Sequence, residues 1–133
     1  MSGRPGVAAR RKRGRLSRSA EFDRVFRQGR SHANRVLVLY GFPRADANAP
    51  AEPRLGLSVS RRVGGAVERN HVKRLLREAF EQELARVPDG HDIVIVARPE
   101  AKAVAEGDGL EGIRTALVEL MDQLRARVEG ESR

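Results

Sequence analysis

Arg69, Lys73 and Arg77 stand at i, i+4 and i+8, with Asn70 and Arg74 beside them. At about 100° per residue these five fall within an arc of about 140° on one side of a helix. Val72, Leu75, Leu76 and Ala79 point the other way, toward a core. The surrounding stretch, Arg61–Arg77, reads RRVGGAVERNHVKRLLR, with six basic residues and Glu68 as its only acid. Guanidinium and ammonium groups gathered on one face are suited to binding anions, and arginine takes phosphate oxygens in pairs. The first turn of such a helix adds free N–H groups and a positive dipole end, a seat for phosphate beside Arg69 and Asn70. Lys73, Arg74 and Arg77 carry the surface on for two turns, and Arg61 and Arg62 precede the Gly64-Gly65 bend. The same spacing also occurs on plain solvated helix faces, so the charge of the rest of the chain has to be weighed.

That weighing favours a binding face. Net charge is +8 and the isoelectric point about 11.2. Residues 1–18 contribute +7 and residues 61–77 contribute +5, which leaves −4 for the other 98 residues. Basicity is confined to one tail and one helix. Such a footprint points to a polyphosphate partner, nucleic acid ahead of an anionic membrane. With 23 Arg and 3 Lys, the cations suit bidentate phosphate contacts.

Side-chain catalysis has little to work with. There is no cysteine, so no disulfide, thiolate nucleophile or thiolate metal site. No G-x-S-x-G motif occurs, and Gly64-Gly65 lacks the following G-K-[ST] of a phosphate loop. His32, His71 and His91 are too scattered to share a metal. Asp89 and Asp92 could hold Mg²⁺, but their place before a strand suits a turn better. The sequence therefore predicts no catalytic residue, no metal site and no cofactor bound by the protein. No apolar run approaches the ~20 residues that span a bilayer, and no signal peptide is expected. The expected location is cytoplasmic, with no membrane partner.

The elements that must carry these residues follow from pattern. Residues 1–15 combine Gly, Pro, Ala and clustered Arg without apolar period, and are read as a disordered basic arm. Ser17 or Ser19 caps a short helix over Ala20–Gln28, with Phe22, Val25 and Phe26 on one face. Arg35–Phe42 is strand-like, with Val36, Val38, Tyr40 and Phe42 on one side and Leu37 and Leu39 on the other. Phe22, Phe26 and Tyr40 are three of only five aromatics. They are either plain core or a face on which unpaired bases stack.

Pro43–Pro53 is a turn-rich loop and Leu55–Ser60 a second strand. The basic helix is expected over Ala66–Arg86, stopping before Pro88. Asp92–Arg98 is a buried strand by its β-branched content. Asp108 and Glu111 resemble a capping pair for a last helix. That helix bears Leu110, Ile113, Leu117, Leu120, Met121, Leu124 and Val128 on one stripe. The expected organisation is one α+β nucleic-acid-binding domain over residues 16–129, between the arm at 1–15 and a tail at 130–133. Its architecture is a small α-β sandwich with helices on at least one face of the sheet.

The ordered combination is specific. The stretch LGLSVSRRVGGAVERNHVKRLLREAF resembles the signature of the bacterial ribonuclease P protein subunit. In that family a strand ending Ser-Val-Ser leads to two basic residues, a glycine bend and a basic helix opening Arg-Asn-Arg. RLSRSAEFDRVFRQGRSHANRVLVLY resembles the family's first helix and next strand, and DIVIVARPEA its last strand. The likeness spans about residues 13–125. His71 stands where the family usually has Arg, so a phosphate role is not carried over to it.

The resemblance implies the order α-β-β-β-α-β-α, a ribosomal protein S5 domain 2-like fold. It also implies a left-handed crossover between the strands at Leu55–Ser60 and Asp92–Arg98, against the general rule. It implies a small partner of a catalytic RNA, which with Mg²⁺ removes the 5′ leader of precursor tRNA. The protein alone is expected to be inactive, and a monomer in a 1:1 complex. RNA-subunit binding is implied for Arg61, Arg62, Arg69, Asn70, Lys73, Arg74 and Arg77. A leader-binding cleft is implied for Phe22, Phe26, Val38 and Tyr40. The alternative is a structural RNA-binding protein of the ribosome or its assembly. A DNA-binding module is disfavoured, since no dimerisation heptad accompanies the helix.

Overall fold

In a computed structural model the described residues are 30–44 and 52–131. The expected arm at 1–15, the helix at Ala20–Gln28 with Phe22 and Phe26, and most of the Pro43–Pro53 loop lie outside them, as does the side chain of Phe42.

Among the described residues four strands make one sheet in the order β1-β2-β4-β3: β1 Arg30–Ala33, β2 Leu37–Pro43, β3 Leu55–Ser58 and β4 His91–Ala97. β1–β2 and β2–β4 are antiparallel, and β3 runs parallel to β4. The helices among the described residues are α1 Ala66–Gln82, α2 Glu100–Gly107 and α3 Gly109–Glu131. The α+β class holds, and three strands precede α1 as the resemblance implies. Residue pattern alone found two of them. The third, Arg-Ser-His-Ala, is a short edge strand that alternates between half-buried and exposed, with no apolar run to betray it.

One face of the sheet builds the core. Leu37, Leu39, Ile93 and Ile95 are fully buried against Ile113, Leu117, Leu120, Met121 and Leu124 of α3. The stripe expected on the last helix is therefore its buried side. Gly41 lets α3 come close, because a Cβ there would sit 2.6 Å from Leu124 Cδ2. The β1–β2 turn is tied down by Asn34. Its Oδ1 accepts from the Val36 and Leu37 N–H groups at 3.0 and 2.9 Å, and its Nδ2 donates to the Ala116 carbonyl at 3.0 Å.

α2 is a surplus over the expected elements. Its buried residues are only Ala101 and Ala105, too small to stand out as an apolar stripe. It ends where the Asp108 N–H donates to the Val104 carbonyl at 2.9 Å and Gly109 takes a φ of 62°. Asp108 closes α2 and directly precedes α3, the place expected for the cap of the last helix, while Glu111 accepts from Arg114 Nε at 3.3 Å. The basic helix is also shorter than expected. It stops at Gln82, and Leu84–Arg86 forms a separate 3₁₀ turn ahead of Pro88.

The second face of the sheet carries Val38 and Tyr40, opposite Val96 and Val94. Both Val38 and Tyr40 are half-buried, while Val94 is fully buried yet stands apart from the core cluster. At the end of that face Asp92 is wholly buried. It accepts from Arg54 Nη2 at 2.7 Å, Arg54 Nε at 3.2 Å and the Arg54 N–H at 3.3 Å, with Arg44 Nε 3.7 Å away. A buried carboxylate needs such partners, and these join β3 to β4.

Candidate nucleic-acid interface

α1 is positioned at both ends. Ahead of it, the Val63 N–H donates to the Ser60 carbonyl at 3.0 Å, closing the turn that holds Arg61 and Arg62. The Gly65 N–H then donates to Glu68 Oε1 at 2.8 Å, one arm of a capping box. This alters the expected phosphate seat. The one acid of the basic stretch takes a donor at the helix entrance and puts its own negative charge there. At the far end the Glu83 carboxylate accepts from Arg86 Nε at 2.7 Å and Arg114 Nη1 at 3.0 Å. Arg86 Nη1 reaches Asp122 Oδ1 at 2.9 Å, and Arg125 Nη1 reaches the Ala85 carbonyl at 3.1 Å. These contacts bolt the end of α1 to α3. Bonds from Arg86 and then Arg114 hold the Glu83 carboxyl below its usual range.

Between those ends α1 buries Val72, Leu75, Leu76, Ala79 and Phe80. The apolar side is the one the sequence predicts, with Phe80 added. On the outer side Arg61, Arg62, Asn70 and Arg74 are exposed, and Arg69, Lys73 and Arg77 half-buried. The seven expected RNA-binding residues therefore share one element and its entrance turn. Among the described residues no carboxylate pairs with Arg61, Arg62, Arg69, Lys73 or Arg74. The Arg69 Nε is buried without a hydrogen-bond partner among the described residues.

His71 takes a different part from its basic neighbours. Arg74 Nη2 lies 2.9 Å from His71 Nδ1. Arginine only donates, so Nδ1 accepts and the ring proton sits on Nε2. His71 orients a cation instead of adding one.

The expected cleft residues lie elsewhere. Val38 and Tyr40 share the second face of the sheet, away from the α3 side, and Phe22 and Phe26 fall outside the described residues. A groove of about 700 Å³ lies between the β1–β2 turn and α2–α3. Asp108, Glu111 and Glu119 stand on its walls, which sets it against a polyanion. Among the described residues no three His, Asp or Glu gather to hold a metal, and Asp92 is committed to Arg54. No helix among them is long and apolar enough to cross a membrane. The Asp92–Arg54 pair escaped the sequence reading. Its only signal was an Asp opening an apolar strand.

The arrangement offers many donors for phosphate on a rigid helix. The chain matches the family model described as Ribonuclease P over residues 11–124. It is 40% identical over 111 residues to the ribonuclease P protein component of Brevibacillus brevis, covering 84% of this chain and 82% of that protein. The structure of the Staphylococcus aureus RNase P protein superposes with a TM-score of 0.70 at 32% identity, over 81% of this chain and 92% of that one. The RNase P protein from Thermotoga maritima gives 0.72 at 30% identity, over 84% and 97%. A basic helix between parallel strands, on a fold shared with those structures and a sequence matched over most of its length, places this chain in the ribonuclease P protein family.

Proposed function

We propose that this chain is the protein component of a ribonuclease P. It joins a catalytic RNA, which with Mg²⁺ hydrolyses precursor tRNA and releases the 5′ leader. The observation that carries the reading is the outer side of α1, where Arg61, Arg62, Arg69, Lys73 and Arg74 meet no carboxylate of the described residues. Cations left unneutralised on a rigid element are an electrostatic template for phosphates, and each contact releases counterions. Family membership names the polyanion.

Arg69, Asn70, Lys73, Arg74 and Arg77 dock on the RNA subunit, with Arg61 and Arg62 alongside. Val38 and Tyr40, together with Phe22 and Phe26, hold the single-stranded leader. The half-buried Tyr40 ring on the second face supports this part, since a partly open aromatic on a sheet can stack a base. The helix supplies affinity for folded RNA, and the cleft separates precursor from product. The protein acts in the cytoplasm as one copy per RNA and cleaves nothing alone.

The test is reconstitution. Protein and ribonuclease P RNA together should cleave precursor tRNA at low-millimolar Mg²⁺, and neither protein alone nor protein with an unrelated RNA should. Cleavage by the protein alone would overturn the assignment of chemistry to RNA. Tyr40→Ala should weaken leader-bearing substrate by roughly 1–3 kcal/mol and leave leaderless tRNA unaffected. Equal weakening of both would remove Tyr40 from the cleft.

A further inference from the structure

The outer side of α1 holds two rows of different character. Arg69, Lys73 and Arg77, at i, i+4 and i+8, are half-buried along one flank. Val67, Asn70 and Arg74, at i, i+3 and i+7, are exposed along the crest. The flank is wholly cationic. The crest is mixed: one apolar, one amide and one guanidinium side chain.

Val67 is the residue that needs explaining. It is 78% exposed, and it is the large hydrophobic left exposed among the described residues. A β-branched side chain on a bare helix surface loses rotamer freedom and packs against nothing, so alanine would serve the helix better. It also sits next to a helix entrance whose Gly65 N–H is already taken by Glu68. The Glu68 carboxylate offsets the positive end of α1, so the first turn is a weaker seat for phosphate, and Val67 offers it an apolar contact instead.

We propose that the crest Val67–Asn70–Arg74 lies against the sugar and base edges of the RNA partner, while the flank row meets its phosphates. This rests on the reading of α1 as the RNA-docking helix and deepens it. The Val67 methyls cover ribose and base C–H groups. The Asn70 amide both donates and accepts, which suits a 2′-hydroxyl. Arg74, oriented by His71 Nδ1, closes the row. The two rows differ in a measurable way. A phosphate contact releases condensed cations, so its share of affinity falls with salt. An apolar contact releases water only, and its share persists at every salt concentration.

The experiment is a salt titration of the full-length protein binding ribonuclease P RNA, between about 50 and 200 mM KCl. Val67→Ala should weaken binding about three- to tenfold at each concentration, the effect of removing methyl groups from a buried contact. Its slope against log salt should match the wild type, and its thermal midpoint should be equal or higher, since alanine favours helix. Lys73→Ala should instead flatten the slope by a fraction of a unit up to about one. Wild-type affinity in Val67→Ala overturns the crest contact, and so does a loss accompanied by a flattened slope. An unchanged slope in both Lys73→Ala and Arg69→Ala brings down the docking role of α1 itself, whatever Val67→Ala does.

Discussion

α1 and α3 are both long amphipathic helices, and each buries its apolar side in the same core. Both carry arginines outward, yet they treat them in opposite ways. On α3 the arginines are spent inside the protein. Arg114 pairs with Glu83 and Glu111, Arg125 with Glu129, and Arg127 with Glu131. On α1, Arg69, Lys73 and Arg74 meet no carboxylate of the described residues, and the one acid of the first turn is used on the helix entrance. The charge totals sharpen this. Residues 100–131, spanning α2 and α3, sum to −4, the whole of the deficit outside the two basic stretches. The number of arginines does not decide which helix offers unneutralised positive charge; the distance to the nearest carboxylate does.

The largest expected effect concerns a cation whose partner is buried. Asp92→Ala would leave Arg54 and Arg44 facing each other at the end of the sheet without their carboxylate. Stability should drop by ~3–5 kcal/mol in urea unfolding. A drop below about 1 kcal/mol, the size of an exposed pair, would put Asp92 in water rather than in the core.

Next comes the outer side of α1. Lys73→Ala with Arg74→Ala should weaken ribonuclease P RNA binding by roughly 10- to 30-fold at moderate salt, with the unfolding midpoint kept. Equal loss of fold and affinity would mean that these side chains hold the protein together. The matched control is Arg125→Ala with Arg127→Ala on α3. It should change binding by less than about twofold, since both cations are already neutralised by their own helix. A loss as deep as that of the α1 pair would erase the distinction between the helices.

The smallest effect lies at the bolt between them. Hydrogen bonds from Arg86 and Arg114 lower the Glu83 pKa in the folded state. The ionised carboxylate thus adds stability above the ordinary glutamate value of about 4.3, and this is lost as pH falls through the lower folded value. Glu83→Gln should therefore flatten the fall of the melting temperature between about pH 5 and 3. Overlapping curves for variant and wild type would show that the bolt carries nothing measurable. His32 leans the same way by a different cause. Burial first, and then Arg127, lower its pKa, so its neutral form supports the fold and acidification below the imidazole range works against it.

Much of the fold was legible because it follows from periodicity. The alternation in Val36–Phe42 set Leu37 and Leu39 apart from Val38 and Tyr40 without saying which side α3 covers, and the stripe from Ile113 to Leu124 announced the buried side of that helix. α2 and β1 were hidden for opposite reasons. The buried side of α2 is alanine, with too little side chain to make a stripe, and β1 is polar because it is an edge. The start of α3 just after Asp108 was legible from the Asp108–Glu111 spacing, while the helix that ends at the same residue was not.

The candidate site divides in the same way. Which side of α1 is basic follows from 100° per residue, and the sequence by itself determined that, along with the concentration of charge that calls for a polyanion. The sequence could not say which of those cations had been claimed. Arg54 looks no different from Arg69 in the linear text, since its partner lies 38 residues away, and Arg114 reaches Glu83, 31 residues away, besides its near neighbour Glu111. Only the tertiary structure brought Asp92 to Arg54 and Glu83 to Arg114, turned Val67 outward and set His71 behind Arg74. Neutralisation of charge is a matter of a few ångströms across the fold, and distance across the fold is not written in spacing along the chain.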